Sequence, residues 1–259
     1  MRNGTPHLSS SLRALTMLDS VINGGGGRSI TDLARQLDIP VSTAHRQIAT
    51  LVAAGYLSPD PAGGYMAGSR LLLLNARIDE KQVIVAKAAP VLPALARQIG
   101  CIVQLGTLEN DMVTYRLKAG RSADALFTKV GQQLEAYCSG MGKVLLANLP
   151  EDEREKYLSL GPFVPLTAAT ITDPDHLRST LRQIAMTDVA RDEGEIVPDL
   201  HCVAVPIKRP DGQVLAAISA SYRVTDDSEA GRSDLIAPLT AAAMTISTQV
   251  YGNPPDTAG

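Results

Sequence analysis

The chain has 259 residues, 45% apolar and 20% charged, with a formal charge of −3, as in a water-soluble protein long enough for two domains. No apolar run approaches the ~20 residues of a membrane span and MRNGTPHLSS lacks a signal-peptide block, so a cytoplasmic protein without a membrane partner is expected. Cys101, Cys138 and Cys202 are far apart and the four histidines are scattered, which gives no disulfide framework, metal site or cofactor motif.

The charge is unevenly spread. Residues 1–77 hold seven Arg, no Lys and four Asp, a net of +3, which leaves −6 for the remainder. A basic head on an acidic body suits a polyanionic partner such as DNA. The absence of Trp and the presence of only two Phe argue against a base-stacking binder of RNA or single strands.

In chain order, Leu12, Leu15, Leu18 and Ile22 form one helical face, and Gly24–Gly27 end that helix. Ser29, three residues before Asp32, predicts a helix cap. The helix it opens turns Ile30, Leu33, Ala34 and Leu37 inward. Asp38-Ile39-Pro40 makes a tight turn, because the residue before proline avoids the α region. A third helix runs from about Val41 to Ala54 and ends at Gly55. Val41, Ala44, Ile48, Leu51 and Val52 form its inner face; Ser42, Thr43, Arg46, Gln47 and Thr50 point outward. Two short helices around a tight turn, the second polar outside at its start, describe a helix-turn-helix. Hydroxyls can hold phosphates, Arg can reach guanine and Gln can pair with adenine. The candidate DNA-contacting set is Arg28, Val41, Ser42, Thr43, His45, Arg46, Gln47 and Thr50. Tyr56-Leu57-Ser58 and Tyr65-Met66-Ala67 flank Asp60–Gly64 as a hairpin, a wing. On pattern alone, a three-helix packing module with solvated faces stays open.

The stretch SLRALTMLDSVINGGGGRSITDLARQLDIPVSTAHRQIATLVAAGYL resembles the DNA-binding domain of the IclR family of regulators, most specifically in P-x-S-T-x-H-R followed by L-x-x-x-G-Y-L. Gln47 departs from that family, whose members usually carry an apolar residue there.

Past the wing, Ser69-Arg70-Leu71-Leu72-Leu73-Leu74 starts a very apolar helix, expected to bury itself on a second copy; burial within one chain is the alternative. The family resemblance implies a homodimer or homotetramer joined near here. A helix over Val83–Ile99, interrupted by Pro90 and Pro93, leads onward. Cys101–Leu108 and Asp111–Lys118 read as a hairpin around Glu109-Asn110. Tyr137–Leu149 reads as a helix entered through Ser139-Gly140-Met141-Gly142-Lys143, and Asp173-Pro174 caps another. His201–Ile207 and Gln213–Tyr222 are strands joined by Pro210-Asp211-Gly212, and Ser233–Val250 closes the chain as a helix. Short strands among helices predict an α+β class with a largely antiparallel sheet. The resemblance implies a GAF/PAS-like effector domain after the winged helix-turn-helix and a linker helix. The expected domains are 1–78, which bind DNA and start the linker helix, and 79–259, which bind the effector and assemble.

SGMGK is not a phosphate loop, since Tyr137 and Val144 stand where the P-loop needs Gly and Ser/Thr. A helix start still offers backbone N–H groups to a small anion. The resemblance, carried over position by position, implies a pocket of Gly140 and Met141 amides, Asp192 and Cys202 opposite, Ser219 and Ser221 on one strand face, and Ala123, Leu126 and Leu134 as walls. The implied function is a regulator, repressor or activator, of a metabolic or catabolic operon. It would bind double-stranded operator DNA and a small organic acid, a carboxylate that is aromatic or aliphatic. The rival is a cysteine-dependent enzyme with Cys202 as nucleophile and His201 or Asp192 assisting. His201 and Cys202 are adjacent in a strand and face opposite ways, and no G-x-S-x-G or H-E-x-x-H motif appears, so a non-enzyme is expected.

Overall fold

The computed structural model describes residues 8–25, 27–121, 123–224 and 235–252. Gly26 of the expected helix break, and the expected start of the last helix at Ser233, lie outside them. The chain divides into two compact units, one ending at Asp79 and one starting at Glu80.

In the first unit, α1 (Ser9–Asn23), α2 (Ile30–Gln36) and α3 (Val41–Ala53) precede a hairpin of β1 (Leu57–Pro59) and β2 (Tyr65–Ala67), then α4 (Ser69–Asn75). Ser29 caps α2 reciprocally: Oγ accepts from Asp32 N at 3.1 Å and donates to Asp32 Oδ2 at 2.7 Å. Asp38 takes the left-handed conformation that the α2–α3 turn requires. Met17, Leu18, Val21, Leu33, Ala34, Ala44, Ile48, Leu51 and Leu57 make the core. One expected inner face is corrected, that of α3. On α1 the buried side is Met17, Leu18 and Val21, while Leu12, Leu15 and Ile22 are exposed. On α3, Val41 is exposed and Gln47 is half-buried, because the inward arc is centred on Ala44, Ile48 and Leu51.

The second unit is a six-stranded antiparallel sheet sandwiched between helices. α5 (Glu80–Ala88) and α6 (Val91–Ile99) lead into β3 (Ile102–Glu109) and β4 (Met112–Ala119). The helix break falls at Pro90, whereas Pro93 sits within the first turn of α6, where a missing N–H is tolerated. Asn110 and Asp111 both have positive φ, as a two-residue hairpin turn demands. β5 (Gln133–Glu135), α7 (Gly140–Ala147), α8 (Glu151–Leu158), α9 (Pro174–Thr187), β6 (Ala190–Glu193), β7 (Leu200–Lys208), β8 (Val214–Arg223) and α10 (Ile236–Tyr251) follow. The strand order is β5-β4-β3-β8-β7-β6. One face packs on α7 and α9 through Tyr115, Val144, Leu177, Leu181 and Ala217; the other packs on α5, α6 and α10 through Leu92, Val205, Ile218 and Leu239. The helix expected from Tyr137 begins at Gly140, with Ser139 as its cap, so Tyr137 and Cys138 belong to the approach. Asp173 caps α9, accepting from His176 N at 2.7 Å. Among the described residues no helix is long and apolar enough to cross a membrane.

Candidate functional sites

The first unit presents α3 to solvent. Arg28, Ser42, His45, Arg46 and Thr50 are exposed, as is Val41, and Thr43 is half-buried. The Thr50 hydroxyl donates to the Arg46 carbonyl at 2.7 Å, leaving its lone pairs as an acceptor. The Arg28 guanidinium reaches across to Gln36 Oε1, which fixes it beside α2. Gln47 is the outlier of the expected set. Its Oε1 is buried without a partner, so it occupies an inward position that an apolar side chain fills more cheaply.

In the second unit, sheet register assembles a site from distant sequence. Asp192 pairs with Cys202, and Cys202 with Ser221, in one row. The next row on the same face runs Ala204, Ser219, Gln104 and Lys118. α7 lies over these rows. A Cβ on Gly140 would stand 2.8 Å from Cys202 Sγ, so only glycine lets the helix start approach that wall. Opposite Met141, a Cβ on Gly106 would meet Met141 Sδ at 2.5 Å, and the β3–β4 ladder shifts register between Leu105 and Gly106. A methionine thus fits where the strand offers no side chain and a bulge.

Leu126, Met141, Asp192, Cys202, Ser219 and Ser221 line one cavity of about 20 Å³. Gly140 abuts it through Cys202. Ala123, in a single 3₁₀ turn, and Leu134, on β5 against the helix-covered core, are not brought to its wall. Gln104, Tyr115, Phe127, Thr128, Ser139, Ile196 and Leu200 also line it, and sequence reasoning missed them. Gln104 carried the clearest signal: in CIVQLGTL it breaks an apolar strand on the face opposite Val103 and Leu105.

Charge is concentrated behind this wall. Lys143 and Glu195 form an ion pair in which both side chains are almost fully buried. Glu195 Oε2 is left without a partner. Asp192 Oδ1 accepts from Glu195 N at 2.7 Å, and Thr170 Oγ1 donates to the Glu195 carbonyl at 2.7 Å. Burial pushes the Asp192 carboxyl up to about 7, with nearby Glu195 adding to the rise and Lys143 and backbone N–H groups opposing it. A carboxyl so placed can donate a hydrogen bond near neutral pH. Desolvation likewise pushes the Cys202 thiol up to about 12, with the Asp192 charge adding to it. The thiol is therefore protonated at neutral pH, unlike an activated nucleophile. His201 turns to the other face, edge-on to the Tyr222 ring. Among the described residues no cluster of His, Cys, Asp and Glu could hold a metal ion.

Two family models match: the IclR helix-turn-helix domain over residues 10–61 and the bacterial transcriptional regulator IclR C-terminal domain over residues 77–248. The HTH-type transcriptional regulator XynR of Escherichia coli is 31% identical over 232 residues, spanning 86% of this chain and 90% of that one. The Agobacterium tumefaciens repressor BlcR shares the fold, with a TM-score of 0.70 at 23% identity over 95% of this chain and 97% of that one. An IclR homologue from Microbacterium hydrocarbonoxydans, solved with 4-hydroxybenzoate, gives a TM-score of 0.60 at 27% identity, covering 93% and 99% of the two chains.

Proposed function

The chain belongs to the IclR family of DNA-binding transcriptional regulators, and from that premise we propose that it controls a metabolic or catabolic operon in response to a small organic acid. Residues 1–78 bind the operator, through Arg28, Ser42, Thr43, His45, Arg46 and Thr50, with Val41 available for an apolar contact. Residues 79–259 hold the ligand. The observation that carries the reading is the row Asp192, Cys202 and Ser221, with Ser219 beside it, set against the start of α7. Hydroxyls, a thiol, a protonatable carboxyl and a helix N-terminus converge there, a donor-rich wall that suits a carboxylate. The proton on Asp192 removes the repulsion that an ionised carboxylate would exert on an anionic ligand.

Self-association belongs to the same reading. Leu8, Leu12, Leu15 and Ile22 expose an apolar side of α1, and Leu72 and Leu73 are more than half exposed on α4. A second copy covering both yields a two-fold reader of a two-fold operator, doubling the bases read.

Footprinting on the regulator's own promoter region, repeated against aliphatic and aromatic carboxylates including 4-hydroxybenzoate, tests the proposal. One acid class should change protection of a two-fold symmetric site. Protection indifferent to every acid, or an asymmetric footprint from a sedimenting monomer, refutes it.

A further inference from the structure

The wall just described is closed off by its own chain. Between β4 and β5, Leu126 and Thr128 are buried, while Phe127 between them lines the cavity and is also exposed to solvent. Under this strap the cavity measures about 20 Å³. That holds roughly one water molecule, whereas pockets for small organic ligands run to about 300–1,000 Å³. No carboxylate of metabolic size reaches the buried Ser219 or Ser221 while the strap stays in place.

The strap is held from below by two neighbours in one sheet row. Gln104, 2% exposed, donates from Nε2 to Thr128 Oγ1 at 2.6 Å. Its Oε1 accepts from Ser221 Oγ at 3.4 Å. Lys118, paired with Gln104 across β3 and β4, donates from Nζ to the Leu126 carbonyl at 3.1 Å and to the Thr128 carbonyl. Its ammonium is partly desolvated there, which lowers its pKa. The polar grip therefore falls on the two buried residues, and it comes from side chains rooted in the sheet.

We propose that residues 123–132 form a gate over the pocket, latched shut by Gln104 and Lys118, and that Gln104 is a recognition residue which passes from Thr128 to the incoming ligand. Gln104 already touches Ser221 through its carbonyl. Release of Thr128 turns the amide N–H toward the same space, so opening the gate and completing the donor set are one event. A ligand that accepts from this amide prevents the latch from closing again. The inference rests on the pocket assigned under the proposed function, but the gate is measurable without any ligand.

The test uses the full chain and deuterium labelling of backbone amides, with the peptide covering residues 123–132 resolved by mass spectrometry. The Leu126 N–H donates to the Ala123 carbonyl at 3.1 Å and the Gly131 N–H to the Tyr115 carbonyl at 2.7 Å, so their labelling rate reports opening. Thr128→Val and Lys118→Met should each raise that rate about five- to tenfold, the effect of losing a latch hydrogen bond or two. Amide exchange in α10 should not change. In the wild type the rate should be flat between 0 and 1 M urea, because a local opening exposes little surface. A rate that climbs with urea as steeply as global unfolding does would show that no gate opens locally, and that reading survives even if a variant fails to fold. Unchanged labelling in both folded variants equally overturns the proposal. A gate that behaves as expected while no carboxylate alters operator protection would retain the latch and sink the ligand class instead.

Discussion

The α3 surface and the pocket differ in how sequence makes them. α3 places its candidate DNA contacts within ten consecutive positions, 41–50, on one helix whose exposure follows from a single periodicity. The pocket draws its wall from β3, β4, β6, β7, β8, α7 and the strap before β5, brought together by sheet register and by the packing of α7 on the sheet. Surface recognition can thus change one residue at a time, with little effect on folding. The pocket cannot, because its polar groups are buried and answer to one another.

The sharpest way to break this contrast is Lys143→Met. It leaves the Glu195 carboxylate buried without its partner, which should destabilise the second unit by about 3–5 kcal/mol. Urea unfolding checks this, and a loss under 1 kcal/mol would mean that Glu195 is neutral in the fold. Arg46→Ala probes the other side. It should weaken operator binding by roughly 1–3 kcal/mol if it reads a guanine, with the unfolding midpoint unmoved. A uniform loss on all DNA sequences, with a shallower salt dependence, would make it a phosphate contact.

Asp192 sharpens the contrast through pH. Its folded carboxyl titrates near 7, so a carboxylate ligand meets a donor below that pH and a negative charge above it. Affinity measured by calorimetry should be level below pH 6 and fall up to about tenfold per unit above 7. In Asp192→Asn it should be level throughout, and a wild-type profile without slope would remove the proton from recognition. Smallest is Ser219→Ala, expected to weaken ligand binding by about 0.5–1.5 kcal/mol with ligand-free operator affinity unchanged. An undiminished affinity would put the ligand elsewhere.

The same contrast explains what could be read in the sequence. The helix-turn-helix, wing, hairpin, caps and long strands β7 and β8 follow from local pattern. α1 was legible as a helix but not as to its face: Leu12, Leu15 and Ile22 form as good an apolar stripe as Met17, Leu18 and Val21. Periodicity cannot tell a face meant for the chain's own core from one left to a partner. β6, with the sequence Ala-Arg-Asp-Glu, has no strand signature, since its place depends on β7 beside it. Ser219 and Ser221 were legible as sharing a strand face. Gln104 opposite them was not, because only the β3–β8 ladder makes them neighbours. Gln47 is inward for the same kind of reason: the arc of α3 that Ala44, Ile48 and Leu51 turn to the core, not the polarity of the residue, decides its side.

The meeting of Met141 with Gly106 also bears on how such a sensor could be retuned. The space above the sheet is shared by one large side chain from the helix and one missing side chain from the strand. Met141→Ala would widen the chamber without touching any polar group, admitting bulkier acids under the same strap. Gly106→Ala would force the methionine aside and shift the chamber's shape. Two substitutions far apart in sequence therefore act as a single dial on ligand size, independent of the polar groups that read ligand charge. Laboratory selection for altered inducers should find this pair early.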